Sequence, residues 1–295
     1  MRDLATPVQT AGKQGKEGKI QWHIVFNTDF LEKLENIGAD SFKAIYDQQN
    51  GTIIKKRVDR SVLRFDIAGS VFFLKRHERE KQQKGGIIES SLFSWCSEGG
   101  KEFANFCTFR LHGLATATPI AMGEKMFNDG TVESFLLTED FSPYVQLEYL
   151  IRNKPESLNG PENSEKRKNI LQAVARYAVK MHKQGFNHQD FNATHVLLAG
   201  LDTNEPALAL FDLQRVDQNR LQQFRWPIKA LAEFNYSSRE NGVFSNEERL
   251  FLFRAYKKNL GKHLSFFDHL QWKWIEAKTN RIARHTAKRH ARHRK

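Results

Sequence analysis

The chain has 295 residues and a formal net charge of +12, with 40% hydrophobic and 12% aromatic residues. This length predicts one large domain or two lobes that share a cleft, and the composition can supply a substantial apolar core. No apolar run approaches the ~18 residues that a membrane span requires, which argues against an integral membrane protein. The N-terminal region contains no continuous apolar segment, so a secretory signal is not expected.

The N-terminal third is predicted to contain mainly strands. Residues 1–20 are rich in Gly, Lys and Gln, which favours a flexible tail. The pattern LEKLENIG then predicts a short helix closed by Gly38. Further on, an Asn50-Gly51 pair lies between two alternating runs, and Gly69 lies between VLRFDI and SVFFLK. Because Asn-Gly between alternating runs is a strong hairpin signal, we expect three or four antiparallel strands between residues 42 and 77.

One helix and two more strands follow. KEFANFCTFRLHGL has apolar residues at close to helical spacing and Gly113 as a C-cap. TPIAMGEKM and ESFLLTEDF are typical of strands, and the polar insert NKPESLNGPENSEKRK is typical of a loop.

The rest of the chain is predicted to be mostly helical. NILQAVARYAVKMHKQG is amphipathic and ends at Gly185, and SNEERLFLFRAYKKNLG opens with a capping box of Ser245 and Glu248 and ends at Gly261. The predicted fold is therefore α+β with two lobes. The N-lobe, an antiparallel sheet with one helix, spans 21–138, the mostly helical C-lobe spans 139–277, and a basic tail or helix occupies 278–295.

Two carboxylates each follow directly on an apolar element. Asp190 lies in FNHQDFNATHVLL after the helix ending at Gly185, and Asp212 follows the predicted strand ALALF. Unpaired carboxylates beside buried segments are costly, so we expect them to be paired, hydrogen-bonded or bound to metal. Phosphoryl transfer uses such a set: one carboxylate orients the acceptor hydroxyl, another holds Mg²⁺, and a lysine neutralises the nucleotide.

The order of the charged residues matches kinase motifs. In an HxDxxxxN loop the Asp is the base, and a metal-binding Asp follows on a later strand end. Here His188, Asp190 and His195 precede Asp212. Upstream, Lys75 ends a predicted strand and Glu102 lies on the first long helix, where an ATP lysine and its ion-pair partner are expected. Each residue alone has a plainer explanation, as a strand-end lysine, a solvated helix residue or a turn former. Jointly they favour the kinase interpretation.

HQDFNATH at 188–195 and DLQR at 212–215 resemble the HxDxxxxH and DLxR motifs of the bacterial lipopolysaccharide core kinases. That group contains the heptose kinase (RfaP/WaaP) and InaA-like proteins and is related to protein kinases. FFLKRH, KEFANFCTFRLHGLATATPIAMGE, LLTEDF, IKALAEFNYSS and the closing basic helix extend the resemblance from about Phe42 to the C-terminus. It implies a protein-kinase-like fold and ATP-dependent phosphorylation of a heptose hydroxyl on the inner core of lipid A-linked oligosaccharide.

The resemblance also implies roles for individual residues. Asp190 would be the catalytic base, and Asp212 would bind Mg²⁺, with His195 as a further candidate for the metal. The implied ATP-binding residues are Lys75 with its partner Glu102, the backbone near Glu139, and Gly51 in the loop over the nucleotide. Arg215 and His188 are candidate contacts to substrate or phosphate.

Three features depart from protein kinases. His195 stands where they have Asn, and imidazole is a poor ligand for Mg²⁺. Either one metal is bound differently, or His195 touches phosphate or sugar instead. YDQQNGT offers only Gly51 where protein kinases use three glycines, and Gln189 stands where many have Arg.

The C-terminal segment is strongly basic. From Lys278 onward it carries eight Lys/Arg, three His and no acid, and Trp272 and Trp274 precede it. This pattern predicts contact with an anionic membrane surface. The family resemblance implies a reaction at the cytoplasmic face of the inner membrane, so we expect a cytoplasmic protein that is peripheral on the inner face of that membrane. The same charge could steer an anionic acceptor, or the segment could be a solvated tail. Since no recognition module accompanies it, no specific nucleic acid is expected as a partner.

Three rival functions stay open from the sequence. One is a related kinase acting on 3-deoxy-manno-octulosonic acid or another acceptor, since FNA in DFNATH is similar to the DLNAHN loop of octulosonic acid kinases. A second is a catalytically inactive kinase-like scaffold that binds membrane or a partner. The presence of Lys75, Glu102, Asp190 and Asp212 together argues against it. A third is a polyanion-binding protein built around the basic tail.

Overall fold

The structure is a computed structural model that describes residues 8–14, 20–35, 41–67, 69–86, 94–218, 225–261 and 266–293. The chain forms two units. The N-terminal unit comprises Met1–Phe141 and Asp212–Gln214, and the C-terminal unit comprises Ser142–Phe211 and Arg215–Lys295. The division near residue 141 lies close to the predicted boundary at 138. The return of three later residues to the N-terminal unit was not predicted.

The N-terminal unit is built on a seven-stranded sheet in the order β1-β2-β6-β7-β5-β4-β3, in which each neighbouring pair is antiparallel. Its strands are β1 Val8–Gln14, β2 Ile20–Asn27, β3 Thr52–Lys56, β4 Arg60–Ile67, β5 Ser70–Lys81, β6 Pro119–Met126 and β7 Thr131–Glu139. Three helices accompany the sheet: α1 Leu31–Glu35, α2 Phe42–Tyr46 and α3 Glu98–Leu111.

The two faces of this sheet have different partners. One face carries the apolar core, in which side chains of all but the outermost strands pack with Leu34 of α1 and with Phe42 and Ile45 of α2. Helix α3 packs against β5, β6 and β7. Its Glu102 binds Lys75 of β5, which by strand alternation points away from the apolar core residues Phe72 and Leu74. The predicted antiparallel N-lobe with one long helix is confirmed.

The flexible tail predicted for residues 1–20 is wrong for residues 8–14. Val8–Gln14 forms edge strand β1 and pairs with β2 along most of its length. Among its described side chains, those of residues 9–12, Ala11 packs against the core. Backbone hydrogen bonds therefore stabilise this strand, and these leave no mark in a polar composition.

The first predicted hairpin is also wrong. The run before Asn50-Gly51 is helix α2, because the Ser41 side chain accepts a hydrogen bond from Ala44 N at 3.3 Å and the helix buries Phe42 and Ile45. A spacing of three residues between buried side chains suits a helix. The second predicted hairpin is confirmed as β4 and β5, with Gly69 at φ 79° between them.

The C-terminal unit is mostly helical, as predicted. Its helices are α4 Leu147–Asn153, α5 Ser164–Lys183, α6 Trp226–Ser237, α7 Asn246–Asn259 and α8 Phe266–His293. Five short strands, β8 Val145–Gln146, β9 Phe186–His188, β10 Val196–Ala199, β11 Ala207–Leu210 and β12 Val216–Gln218, form a β11-β10-β8 sheet and a β12-β9 pair. The capping box of Ser245 and Glu248 is confirmed. Part of the predicted loop at 153–168 is instead the first turn of α5.

The basic segment predicted to begin at Lys278 is the second half of α8, which runs without a break from Phe266 to His293. Thr279 is buried and accepts a hydrogen bond from Asn235 Nδ2 of α6 at 3.1 Å. Near the start of the helix, Asp268 pairs with Lys257 at 2.7 Å. The first part of the basic segment is thus anchored on the C-terminal unit.

A buried carboxylate ties the start of α3 to the centre of the sheet. Glu124 of β6 is 0% exposed, and it accepts hydrogen bonds from Cys96 N at 2.9 Å and Ser97 Oγ at 2.5 Å. His23 Nε2 of β2 lies 3.3 Å from the same carboxyl group. Burial raises the pKa of Glu124, and the hydrogen bonds from Ser97 and Cys96 oppose the shift. Ser97 also caps α3 by accepting from Gly100 N.

Replacing Glu124 with Ala should lower the free energy of unfolding by about 3 kcal/mol, because buried donors of Ser97 and Cys96 lose their acceptor. Urea unfolding followed by far-UV circular dichroism measures the loss. Glu133→Ala is the matched control, since Glu133 lies 3.9 Å from the partly exposed cations of Arg79 and Lys125 and its removal should cost less than about 1 kcal/mol. Equal losses in both variants would contradict the assigned role of Glu124.

Candidate active site

Lys75 is the centre of the charged cluster in the N-terminal unit. Its Nζ lies 2.7 Å from Glu102 Oε2 of α3 and 3.0 Å from Asp212 Oδ1. Glu102 is buried, at 2% exposure, and the Lys75 side chain is 15% exposed. Two carboxylates from distant parts of the chain therefore share one ammonium group. The predicted pairing of Lys75 and Glu102 is present in the structure.

The protonation of this cluster follows from burial and charge. Burial alone would lower the pKa of Lys75, but the charges and hydrogen bonds of Glu102 and Asp212 outweigh it, so the pKa is raised and the lysine is a cation. Burial raises the pKa of Glu102 to about 7, against the charge of Lys75, and the negative charge of Asp212 adds to the rise. The ammonium 2.7 Å away favours the ionised carboxylate, so the pair is ionic above pH 7 and Glu102 becomes protonated as the pH falls below it.

Asp212 is held in an unusual backbone conformation directly after strand β11. Its φ of 58° is positive, which is uncommon for a residue other than glycine and found mostly for Asn and Asp. The next carbonyl, that of Leu213, accepts a hydrogen bond from Asn105 Nδ2 of α3 at 2.7 Å. Helix α3 thus binds the Asp212 segment as well as Lys75.

Gln214 also binds the Asp212 segment to the sheet. Its Nε2 lies 3.2 Å from His77 Nε2, and its Oε1 accepts a longer hydrogen bond from Arg60 Nη1 at 3.5 Å. Burial lowers the pKa of His77 to about 3, and the charges of Lys75 and Arg60 lower it further, so the ring is neutral and can accept from the amide. The Asp212–Gln214 segment is therefore fixed on the same sheet face as Lys75.

In the C-terminal unit, Asp190 follows β9 and is held by Arg215. Arg215 Nη1 lies 2.8 and 3.1 Å from the two carboxylate oxygens, and its Nη2 donates to Gln189 Oε1 at 2.8 Å. Gln189 Nε2 donates in turn to Asp217 Oδ1 at 2.8 Å. Pairing of β9 with β12 brings these side chains together. The arrangement fixes the direction of the Asp190 carboxylate.

The two histidines of the motif support the same loop. His188 is buried, and its Nδ1 accepts a hydrogen bond from Asp190 N at 3.1 Å. The ring of His195 lies 5.5 Å from that of His188, and its Nδ1 is 2.8 Å from the Asp190 carbonyl, so Nδ1 carries the proton. Phe211 packs edge-on against His195. Both imidazoles thus have a structural function beneath Asp190.

Of the two other predicted ATP-binding positions, Gly51 lies before β3 and Glu139 lies at the end of β7. Gly51 precedes β3 and packs so closely on β4 that a Cβ would collide with the Arg64 carbonyl. Glu139 ends β7, where its backbone N–H donates to the Thr118 carbonyl at 3.0 Å. The structure gives Gly51 a packing reason, and nucleotide binding at these two positions stays a prediction.

Asp212 fits the requirements of Mg²⁺ better than His195. Mg²⁺ in kinases uses one or two carboxylates and completes its shell with phosphate oxygens and waters. The Asp212 side chain is 34% exposed, whereas His195 offers nitrogen and uses Nδ1 for the Asp190 carbonyl. Within the described ranges, no three His, Cys, Asp or Glu side chains are grouped to hold a metal ion. The metal assignments stay predictions.

Several residues of these clusters were missed by the sequence reasoning: His77, Asn105, Gln214, Asp217 and Glu233. Glu233 of α6 is notable because burial, and then the charge of Asp190, raises its pKa. Gln214 lies within the DLQR motif and could have been found there. The others are separated by long stretches of chain from the residues that they contact, and no local pattern marks them.

Lys75 is held by the carboxylate of Glu102 on α3 and by that of Asp212, which follows a strand. Together with the loop that contains Asp190, this set of residues is typical of a kinase. The comparisons agree. The model of the lipopolysaccharide kinase (Kdo/WaaP) family matches residues 44–256, so the chain belongs to that family.

Curated relatives cover most of the chain. The lipopolysaccharide core heptose(I) kinase WaaP of Pseudomonas aeruginosa is 28% identical over 253 residues, which cover 83% of this chain and 91% of the relative. The protein of the same name from Escherichia coli K12 is 29% identical over 239 residues, covering 79% and 88%. The solved structure "WaaP in complex with acyl carrier protein" superposes with a TM-score of 0.63 at 25% identity, covering 85% of this chain and 96% of that one. The predicted kinase-like fold is confirmed.

A first test of the site concerns pH. As the pH falls from 8 to 6, protonation of Glu102, with its pKa of about 7, should release Lys75 and weaken MgATP binding about tenfold. Glu102→Gln should bind weakly at every pH, without this step. Isothermal titration calorimetry across the range measures both. A wild-type affinity that is flat with pH, or a step that persists in Glu102→Gln, would refute the assignment.

Proposed function

We propose that this protein is an ATP-dependent kinase that phosphorylates a heptose hydroxyl of the lipopolysaccharide inner core. The observation that carries the proposal is the Lys75 ammonium bound by both Glu102 and Asp212, in a chain of the lipopolysaccharide kinase family. The relatives named heptose(I) kinase support heptose over 3-deoxy-manno-octulosonic acid as the acceptor. Because the sequence contains Lys75, Glu102, Asp190 and Asp212 together, an inactive scaffold is not favoured.

The proposed roles in the reaction are assigned residue by residue. Lys75 would neutralise the nucleotide phosphates, and Glu102 binds the Lys75 ammonium group. Asp212 would hold Mg²⁺, which when bound neutralises charge on the phosphates. Asp190 would orient the acceptor hydroxyl and accept its proton as the new O–P bond forms and the bond to ADP breaks. Arg215 holds the Asp190 carboxylate and also donates to Gln189, and His188 and His195 support the backbone at Asp190.

Transfer of labelled phosphate from MgATP to core-dephosphorylated lipopolysaccharide tests the proposal. Asp190→Asn should lower kcat by at least ~100-fold, because the hydroxyl loses its base, with little change in ATP affinity. Asp212→Asn should impair transfer and MgATP binding together. Asp202→Asn is the control, since Asp202 is 89% exposed and pairs only at the surface with Lys166.

The outcome separates the rival functions. Transfer by the wild type that survives Asp190→Asn would refute the role of Asp190. If the wild type binds MgATP but transfers phosphate only to free 3-deoxy-manno-octulosonic acid, the proposed heptose acceptor is refuted. If it neither binds nor transfers, the kinase proposal fails.

We further propose that α8 binds an anionic membrane surface. Phe267, Leu270 and Trp274 are 70%, 44% and 63% exposed. Phe267, Trp274, Arg281 and Lys288 are spaced seven residues apart, so they follow one side of the helix and join an aromatic end to a cationic end. Such helices lie in membrane interfaces, and each basic residue adds about 1 kcal/mol near anionic lipid. No helix of the described part of the chain has both the length and the apolar character to cross a bilayer.

Co-sedimentation with vesicles tests this surface. The wild-type protein should bind vesicles that contain roughly 30% phosphatidylglycerol. It should detach as the salt concentration is raised, because the attraction is largely electrostatic. Phe267→Ala/Trp274→Ala and Arg281→Gln/Lys288→Gln should each weaken binding about tenfold or more. Lys166→Gln, on α5, is the control. Equal binding to phosphatidylcholine vesicles, or unchanged binding by both double variants, would refute the proposal.

The solved structure similar to this chain is a complex with acyl carrier protein. Mass spectrometry of the purified protein checks whether a carrier protein is bound here as well.

A further inference from the structure

Strand β3 places a second lysine level with Lys75. Lys55 pairs with Val62 of β4, and Val62 pairs with Lys75 of β5. Directly paired residues of antiparallel strands project to the same face of a sheet. Lys55, Val62 and Lys75 therefore form one row on the face that carries α3. With adjacent strands ~4.8 Å apart, the backbones of the two lysines are about 10 Å apart, a gap that their two side chains can close around one polyphosphate.

A β-bulge produces this alignment. Ile53 pairs with Leu63 and Lys55 pairs with Val62, so Ile54 is an extra residue on β3. In a regular ladder Ile54 would pair with Val62, and Lys55 would pair with Ser61 and project to the opposite face. Bulges occur beside active sites, where they redirect a side chain. Here the redirected side chain is a lysine, and the bulge brings it to the face of the Lys75 cluster.

This row carries a surplus of positive charge. Arg60 pairs with His77, two residues along from Lys75, so it lies on the same face. Burial, and then the charges of Arg57 and Arg60, lower the pKa of Lys55, whereas Asp212 opposes this shift. Lys75 binds the carboxylates of Glu102 and Asp212, and its single ammonium group engages both. An anion bound beside Lys55 would relieve the repulsion between these cations.

Lys55 has no evident packing function. Every residue of β3 is exposed, including Ile53 at 53% and Ile54 at 55%. The long lysine side chain loses conformational freedom when it is fixed, so an exposed lysine gains little from this position unless a ligand binds it. Its neighbour Lys56 pairs with Ser61 and projects to the other face, which makes it a matched comparison.

We propose that Lys55, directed by the bulge at Ile54, is a second contact for the nucleotide phosphates. This inference rests on the proposed function, because it takes ATP as the phosphate donor. Lys75 would bind the polyphosphate from the α3 side and Lys55 from the edge of the sheet. A polyphosphate ligand, and not a nucleoside, is what two lysines in one row would recognise.

Binding of MgATP and of adenosine to the full-length protein tests the proposal by calorimetry. Lys55→Ala should weaken MgATP binding about tenfold and leave adenosine binding unchanged, since adenosine has no phosphate. Lys56→Ala should bind both ligands as the wild type does, and Lys55→Arg should retain MgATP affinity within about threefold, because it keeps the charge. Thermal unfolding checks that the variants are folded.

The outcomes distinguish this inference from the proposed function. If the wild type binds MgATP and transfers phosphate but Lys55→Ala binds it equally well, the Lys55 contact is refuted and the kinase stands. Equal losses in Lys55→Ala and Lys56→Ala would refute the face assignment, and a parallel loss of adenosine binding would refute a phosphate contact. A wild type that binds no MgATP would overturn both proposals.

Discussion

The arrangement of the N-terminal unit depends on one ammonium group with two acidic partners. Lys75 of β5 binds Glu102 of α3 and Asp212, which lies 137 residues further along the chain. A buried carboxylate without a partner is costly, so the ion pair fixes α3 on the sheet and Asp212 beside it. Glu124 acts at the start of α3 by accepting from Cys96 and Ser97. The helix is therefore held at its start by a carboxylate of the sheet and within its second turn by a lysine of the sheet.

In the C-terminal unit too, a candidate catalytic carboxylate is bound by a cationic side chain. Asp190 is paired with Arg215, Gln189 links Arg215 to Asp217, and the two imidazoles of the loop hold the backbone at Asp190. Each candidate catalytic carboxylate thus has one cationic partner and a fixed backbone. Preorganised charges of this kind need little rearrangement when charge develops on a transferred phosphoryl group.

Features encoded in short stretches of sequence were predictable, and features that depend on distant pairing were not. The β4–β5 hairpin at Gly69 and the capping box at Ser245 follow from local patterns. The Lys75–Glu102 pair followed from motif order, which reflects the chemistry of nucleotide binding. Strand β1 depends on backbone hydrogen bonds to β2, and the Gln189–Asp217 bond joins residues 28 positions apart through β9 and β12. Helix α2 replaces a predicted strand, because a short apolar run is compatible with either structure. The cap at Ser41 is the feature that favours the helix.

Because Asp212–Gln214 belongs to the N-terminal unit, that unit is completed only late in translation. The sheet and α3 have been synthesised once the chain reaches residue 141, yet Asp212, which binds Lys75, and Leu213, which accepts from the Asn105 amide, follow about 70 residues later. At 5–20 residues per second, this is a delay of roughly 4 to 14 seconds. During that interval Lys75 has Glu102 but not Asp212 as an acidic partner. A truncated N-terminal unit would remain in that condition, so the smallest chain that can complete this unit extends to Gln214.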